Sequence, residues 1–540
     1  MTTEIYDYII VGAGSAGCVL AERLTACGRH TVLLLEAGGS DRRFWVRTPL
    51  GYAKTFQDPA VNWRYRAAAD PGLNGREAYW PRGRVLGGSS SINAMAYLRG
   101  LPQDFDGWEA AGATGWNWAA VRRTYAAIEA PEAGDAPICS VRLSELGPRR
   151  HPFTRHFLEG ARQMGWPVAD ARAAAQDADP EGLAALRSTL RRGRRWSAAD
   201  AFLRPALRRR NLRVITHAQA ERVVMSQGRA EGVMHRHQGR TRFAAAAREV
   251  ILSGGAVNSP QLLHLSGIGP AEALRRLGIA VALDLPQVGR GLQDHLAISH
   301  AFQANEATLN NALGSWVGKG LAGARYLLSR GGPLALPINQ ISGFVRSAPQ
   351  AATPDLQIYC NPISYRTDAA GRAAVDPQPG FLLSAQPCRP TSRGEVALSS
   401  PDPRAAPTIR PNSLSTDHDQ AMAVEAGRAL QRLAQTPAIR AVTRARPSPD
   451  PIAMDDAALL EDFRARASTV FHPSCTCRMG RDATTSALDP RLRVHGARGL
   501  RVVDASAFPS VTSGNTNAPV MMLAARAAEL ILEDAAQGPP

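Results

Sequence analysis

"YIIVGAGSAGCVLAERL", residues 8–24, opens on four apolar residues, breaks into Gly12-x-Gly14-x-x-Gly17 and runs on with helical spacing. An apolar run of that length, bounded by glycine, predicts a strand buried on both faces, then a tight turn and a helix. A second apolar run, "TVLLLEAGG" (31–39), contains Glu36 at its end. Strand, glycine turn, helix and strand in this order form the first unit of a doubly wound parallel sheet around a dinucleotide. The three glycines do different things. Gly12 permits the turn, Gly14 leaves room for a pyrophosphate against the backbone, and Gly17 lets helix and strand pack closely. Free N–H groups and the helix dipole then hold phosphate. Glu36, nineteen residues beyond Gly17, is placed to accept from both ribose hydroxyls and to repel a 2′-phosphate, which disfavours NADP. The fingerprint's place at the start of the chain favours FAD over NAD, though the motif alone serves either. A glycine-rich loop without a ligand is the competing reading.

A chain of 540 residues, 44% of them hydrophobic, is long enough for two domains with a deep core. The net charge of +16 is carried almost wholly by arginine, since Lys54 and Lys319 are the only lysines. Arginines spread over the whole length read as a composition bias. Local clusters such as "LRRGRRW" (190–196) and "LRRRN" (207–211) read as solvated surface in preference to a binding patch. No nucleic-acid module is present, so nucleic acid is not expected as a partner. Seven cysteines, odd in number and scattered, are unlike a disulfide framework and imply reduced thiols in a cytoplasmic setting. The N-terminus lacks a basic leader region and no run of eighteen apolar residues occurs, so neither a signal peptide nor a membrane span is expected.

A second glycine-rich stretch, "YWPRGRVLGGSSSINAMAYLRG" (79–100), would let backbone lie flat against a ligand and donate N–H groups to it. With "GGAVNSPQLLHLSGIGP" (254–270), "QVGRGLQDH" (287–295) and "GLRVVDASAFPSVTSGNTNAPVMMLAARAAELI" (499–531), it resembles the signatures of the glucose–methanol–choline (GMC) oxidoreductases. The four segments stand in the family's order and span nearly the full chain, and they look most like bacterial FAD-dependent alcohol and choline dehydrogenases. The resemblance implies an α/β (α+β overall) architecture: a Rossmann-like FAD-binding domain, discontinuous in sequence, plus a substrate domain with a mixed antiparallel sheet and helices. The motifs place the first at 1–150, 192–298 and 465–540, and the second at 151–191 and 299–464. In the second, "PDLQIYC" and "GEVALSS" read as strands. The Ala/Arg-rich stretches 130–150 and 168–190 depart from the family pattern.

Carried over residue by residue, the nucleotide site falls on Gly12, Gly14, Ser15, Ala16, Gly17, Glu36 and Ala37. The flavin loop falls on Arg82, Val85, Gly87, Gly88, Ser89, Asn93, Ala94 and Met95. Ala220 would meet the adenine, Asp504 and Ala505 the pyrophosphate, and Asn515, Thr516 and Asn517 the pyrimidine end of the flavin. Where members with covalently attached flavin carry a histidine after the serine run, this chain has Ile92, so the FAD is expected to be non-covalent.

Oxidising an alcohol means taking a hydroxyl proton and a hydride from one carbon, so a base within hydrogen-bond reach is needed. Histidine, with an ordinary pKa of about 6.5, suits that role. By resemblance the base is His472 and its partner Asn515; a core histidine and a helix N-cap are the bland alternatives. His472 lies in "TVFHPSCTCRMG" (469–480), which with Cys475 and Cys477 invites a zinc reading. The single residue between the cysteines strains a shared tetrahedron and no second Cys/His pair completes it, so no metal is expected. Family members that oxidise choline carry a glutamate on the strand after "DH"; here that position falls on Gln303, with Glu306 able to substitute only through a register shift. A neutral primary alcohol, aliphatic or aromatic, is therefore expected over choline, with "GGPLALPINQISGFV" (331–345) read equally as a pocket wall or as plain core packing. Electrons would pass to a quinone, an electron-transfer partner or O2. The arginine excess allows at most peripheral contact with the inner face of an anionic membrane. An FAD-containing hydroxynitrile lyase or photodecarboxylase-like enzyme is the alternative of another class.

Overall fold

In the computed structural model, which describes residues 4–131, 139–168, 181–368 and 371–537, the opening motif forms as its pattern requires. Strand β1 (Glu4–Val11) leads through the glycine turn into helix α1 (Ser15–Thr25) and then strand β2 (Val32–Leu35). Tyr8, Ile9 and Ile10 and all of β2 are buried, because layers cover both faces of the sheet. Gly12 turns at φ +103°, and a Cβ at Gly17 would stand 1.9 Å from the Gly12 carbonyl oxygen, so only glycine lets α1 seat this closely. The sheet continues with β3 (Leu212–Ile215), β4 (Ala218–Ser226), β5 (Arg229–His237) and β6 (Arg240–Leu252), followed by helix α2 (Gly255–Leu265).

The chain then builds a second sheet. Strands β7 (Leu296–Ala304), β8 (Ile341–Val345), β9 (Leu356–Asn361), β10 (Gly380–Pro387) and β11 (Thr443–Ala445) pair in the order β8-β9-β10-β7-β11, every pair antiparallel. Between β7 and β8 lies helix α3 (Trp316–Ser329), and helix α4 (Asp417–Ala434) buries Ala426, Leu430 and Leu433 with Phe302, Ile358 and Leu383 of the sheet. "PDLQIYC" becomes β9 as expected. "GEVALSS" instead pairs with Arg290–Leu292 and Thr408–Arg410, and its Val396 packs with Val257 of α2 and Trp80. Residues 132–138 and 169–180, within the two Ala/Arg-rich stretches, lie outside the described residues.

The last segment returns to the first sheet. Strand β12 (Leu500–Val502) adds parallel to β6, giving the order β3-β2-β1-β6-β12 for the parallel strands, with β5 and β4 antiparallel beyond β6. Helix α5 (Asn517–Ala536) then buries Met521, Leu523 and Ala524 in the same core as Ile9, Val19 and Val250. None of the described helices is long and apolar enough to cross a membrane.

Candidate active site

A cavity of about 1410 Å3 is lined by residues of both sheets, from Val11 and Glu36 at one end to Ala301, Tyr359 and Asn361 at the other. Pockets for drug-sized ligands measure about 300–1,000 Å3, so this larger space can take a dinucleotide with a substrate beside it. The N-termini of α1 and α5 both open onto it, through Gly14 and Thr516, and neither has a side-chain cap. Their first-turn N–H groups are therefore left to a ligand. Ser15 Oγ donates to Asn517 Oδ1 at 2.7 Å and fixes the two helix ends against each other. Gly88, at φ +53°, is seated where a Cβ would come within 2.6 Å of Gly14 Cα, so the serine loop lies directly on the fingerprint.

Every residue expected to touch nucleotide or flavin lines this cavity except Gly17, Val85 and Gly87. Gly17 is spent in the seam between α1 and β1. Val85 turns its side chain into a small core with Val46, Val61 and Ile92, and the Gly87 N–H is committed to the Ala13 carbonyl at 2.7 Å. These three support the site from behind. Glu36 is buried, and its two oxygens accept the N–H groups of Ala13 and Gly38 at 2.9 and 2.8 Å. Burial pushes its carboxyl up to about 7, with those N–H groups opposing.

His472 reaches the cavity by backbone pairing. Residues 468–469 run antiparallel to Leu296–Ala297 at the start of β7, and Ser474 bridges Gln293, so His472 is held opposite Asp294 and His295. Asp294 Oδ1 accepts the backbone N–H of both His472, at 2.7 Å, and His295, at 2.9 Å, while Oδ2 accepts from the Thr469 hydroxyl. Arg82 donates to the Phe471 carbonyl at 2.7 Å and braces the same turn. Burial lowers Arg82 to about 10, partly offset by Asp294, so it stays a cation.

The ring contacts then fix which nitrogen of His472 carries its proton. His295 Nε2 lies 2.8 Å from the Cys388 carbonyl oxygen, which can only accept, so Nε2 carries the proton. Burial lowers His295 to about 4, so the ring is neutral and its Nδ1 is an acceptor. His472 Nδ1, 3.0 Å away, must donate to it. That leaves His472 Nε2 with a bare lone pair, 3.0 Å from Nδ2 of Asn515, which donates. Burial first, then the His295 ring and the Arg82 cation, hold His472 well below the ordinary histidine range. The Asn515 side-chain oxygen is buried without a partner, a polar atom awaiting a ligand.

Two family models of the GMC oxidoreductases match the chain, over residues 6–297 and 390–524. The chain belongs to the GMC oxidoreductase family. It is 39% identical over 542 residues to an alcohol dehydrogenase [acceptor] of Pseudomonas putida, covering 98% of this chain and 96% of that protein. It is 38% identical over 536 residues to an oxygen-dependent choline dehydrogenase of Vibrio vulnificus, covering 98% and 94%. Among solved structures, pyridoxine 4-oxidase superposes with a TM-score of 0.85 at 28% identity, covering 97% of this chain and 98% of that one. This GMC oxidoreductase is an FAD-dependent enzyme acting on a CH–OH donor.

The residues present fit FAD: two uncapped helix ends, a glycine seat at Gly14 and Gly88, and an orphaned buried amide oxygen all face one cavity. Bound there, FAD supplies the hydride acceptor. On the substrate side β7 presents Ala297, Ser299 and Ala301, with no carboxylate among them. Gln303 is exposed on that strand and off the lining. Glu306 pairs at the surface with Arg155 at 2.8 Å and His156 at 3.1 Å, so neither acid nor amide expected from the register enters the site. Of the stretch 331–345 only Leu334, Ile338 and Asn339 line the cavity, because its strand portion is committed to β8. Tyr52, Phe56, Ile363, Tyr365 and Phe471 complete an apolar and aromatic wall.

Both ring nitrogens of His472 are engaged by His295 and Asn515. The buried Cys475 and Cys477 face Gln293 and the first core, and no His/Cys/Asp/Glu group among the described residues could hold a metal. The motif reading assigns no role to Asp294 and His295 in "QDH". The signal is nonetheless there: an acid and a histidine just before a strand, in a segment too glycine-rich to be ordinary core.

Proposed function

We propose that this enzyme oxidises a neutral primary alcohol, aliphatic or aromatic, to the aldehyde, with His472 Nε2 as the base and Asn515 Nδ2 steadying the alcohol oxygen. The observation that carries this reading is the proton-free Nε2 facing the Asn515 amide on the wall of one cavity. Taking the hydroxyl proton onto Nε2 raises electron density on the oxygen and loosens the carbinol hydride. The β7 lining supports a neutral substrate, because a buried quaternary ammonium there would rest on cation–π contacts worth about 0.5–2 kcal/mol. The two-domain division at 1–150, 192–298 and 465–540 against 151–191 and 299–464, and non-covalent FAD beside Ile92, belong to the same reading. Electrons then pass to a quinone-type or other non-NAD acceptor, and a loose hold on an anionic membrane would bring the enzyme near one. Anaerobic mixing of the purified holoenzyme with a panel of alcohols tests this. Flavin bleaching by neutral primary alcohols and not by choline is expected; an unchanged yellow spectrum with every alcohol would point to the lyase or photodecarboxylase-like class instead.

A further inference from the structure

Helix α3 is built inside out. Of its residues only Ala322 and Tyr326 are buried, while Trp316 and Leu328 are 89% exposed and Leu321 68%. At 3.6 residues per turn, Trp316, Val317, Leu321, Ala324, Leu327 and Leu328 fall within an outward arc of about 140°, with Lys319 and Arg325 at its two edges. Beside it stand Phe44 and Trp45, both near half exposed, with the Phe44 ring 6.2 Å from that of Tyr326. The arginine hairpin 190–196 abuts the same place: Arg195 Nε donates to the Val46 carbonyl at 2.9 Å, and Gly193 lies against the Arg330 carbonyl. Arg192 and Arg194 project from it, exposed.

The charge of this face is mostly positive, although the exposed Glu77 also lines the cavity. None of the segments 42–57, 182–199 and 307–354 contains an Asp or Glu. Asp368, on the cavity lining, and Asp376 are each taken by an arginine, Arg372 and Arg366. The face also surrounds the cavity mouth, since Phe44, Trp45, Lys319, Gly323 and Leu327 line it.

We propose that α3, Phe44–Trp45 and the 190–196 hairpin form a docking surface for an anionic lipid bilayer, with the mouth of the active-site cavity opening into the membrane interface. A convex apolar ridge edged by cations can sink to the acyl boundary while its Lys and Arg heads stay among anionic headgroups. A rigid protein partner would need a matching groove for the same ridge, whereas a fluid bilayer needs none. The lipid contact stands on this surface alone. That an amphiphilic alcohol and a lipid-soluble acceptor reach His472 by this route rests on the function proposed above.

The test is co-sedimentation of the FAD-loaded enzyme with vesicles of phosphatidylcholine, alone or with about one third phosphatidylglycerol. The triple variant Trp316→Ser, Leu321→Ser, Leu328→Ser changes only exposed side chains outside the catalytic machinery. Wild type is expected to pellet with the anionic vesicles, release at high salt, and lose binding at least about tenfold in the variant. Anaerobic flavin reduction by a short, water-soluble alcohol stays unchanged in that variant, while reduction by a long-chain alcohol presented in anionic vesicles falls. Wild type that remains in the supernatant with anionic vesicles overturns the proposal, as does a triple variant that pellets equally. A dimer in sedimentation velocity that the variant dissolves assigns the face to a second copy and also overturns it. If no alcohol reduces the flavin, the chemistry proposed for His472 fails and the sedimentation result still decides the surface.

Discussion

Replacing His295 with alanine should cripple proton abstraction without touching substrate or flavin. In the native site the His295 ring accepts from His472 Nδ1 at 3.0 Å and is itself anchored at 2.8 Å to the Cys388 carbonyl. Alanine removes the acceptor that dictates the His472 tautomer and leaves a buried N–H unpaired, at a cost of about 1–3 kcal/mol. The ring can escape that cost by moving its proton to Nε2, the position that must be bare to act as base. Either outcome lands on the proton-transfer step, and about 1.4 kcal/mol is a factor of ten, so the flavin reduction rate should fall by about 5- to 150-fold. The assay is rapid anaerobic mixing with a saturating alcohol, with FAD occupancy checked by absorbance. His295→Asn, whose side-chain oxygen can stand near the Nδ1 position, should recover part of the rate, which a general packing defect would not. A reduction rate for His295→Ala within twofold of wild type, at full FAD occupancy, would refute the tautomer argument.

Other outcomes follow from the same geometry. His472 is held below the ordinary range by burial, so it takes a proton only well under pH 6.5; kcat/KM should be flat through neutrality and fall along one limb in acid, and a midpoint at or above about 6.5 in the pH profile would contradict this. Glu36, pushed up to about 7, can accept from both ribose hydroxyls at full strength only when ionised; FAD should bind more tightly above pH 7 and loosen below it, and in Glu36→Gln titrations of apoenzyme that pH dependence should vanish. Gly17→Ala would drive a methyl to 1.9 Å from the Gly12 carbonyl oxygen, so we expect about 3 kcal/mol or more of destabilisation and loss of bound flavin, read by thermal melting and the flavin-to-protein absorbance ratio.

The parallel core was legible because its signal is local: an apolar run, three glycines at fixed spacing and an acid after the second strand fall within residues 8–36. The β9 strand was legible for the same reason. What the pattern hid was set by partners far away in the chain. "GEVALSS" alternates like any half-buried strand, and nothing in it says that it pairs with 290–292 rather than β10. His472 and Asn515 could be named from motifs, but the relay behind them could not. Its members, Cys388, His295 and His472, meet only because residues 468–474 pair back along 293–297. The apolar face of α3 was likewise invisible, since Trp, Val and Leu at helical spacing look the same whether they point inward or out.

The hydrogen bond from Ser15 to Asn517 joins residues 502 positions apart, and β12 completes a sheet begun by β1. During synthesis the glycine fingerprint is made 502 positions before the asparagine that faces it. Until the segment around residue 517 has emerged, the N-terminal half has a phosphate seat with one side missing and an open sheet edge beside β6. Cofactor capture therefore waits for two segments far apart in sequence to close around the nucleotide, and the long wait at that exposed edge is where misfolding and aggregation compete.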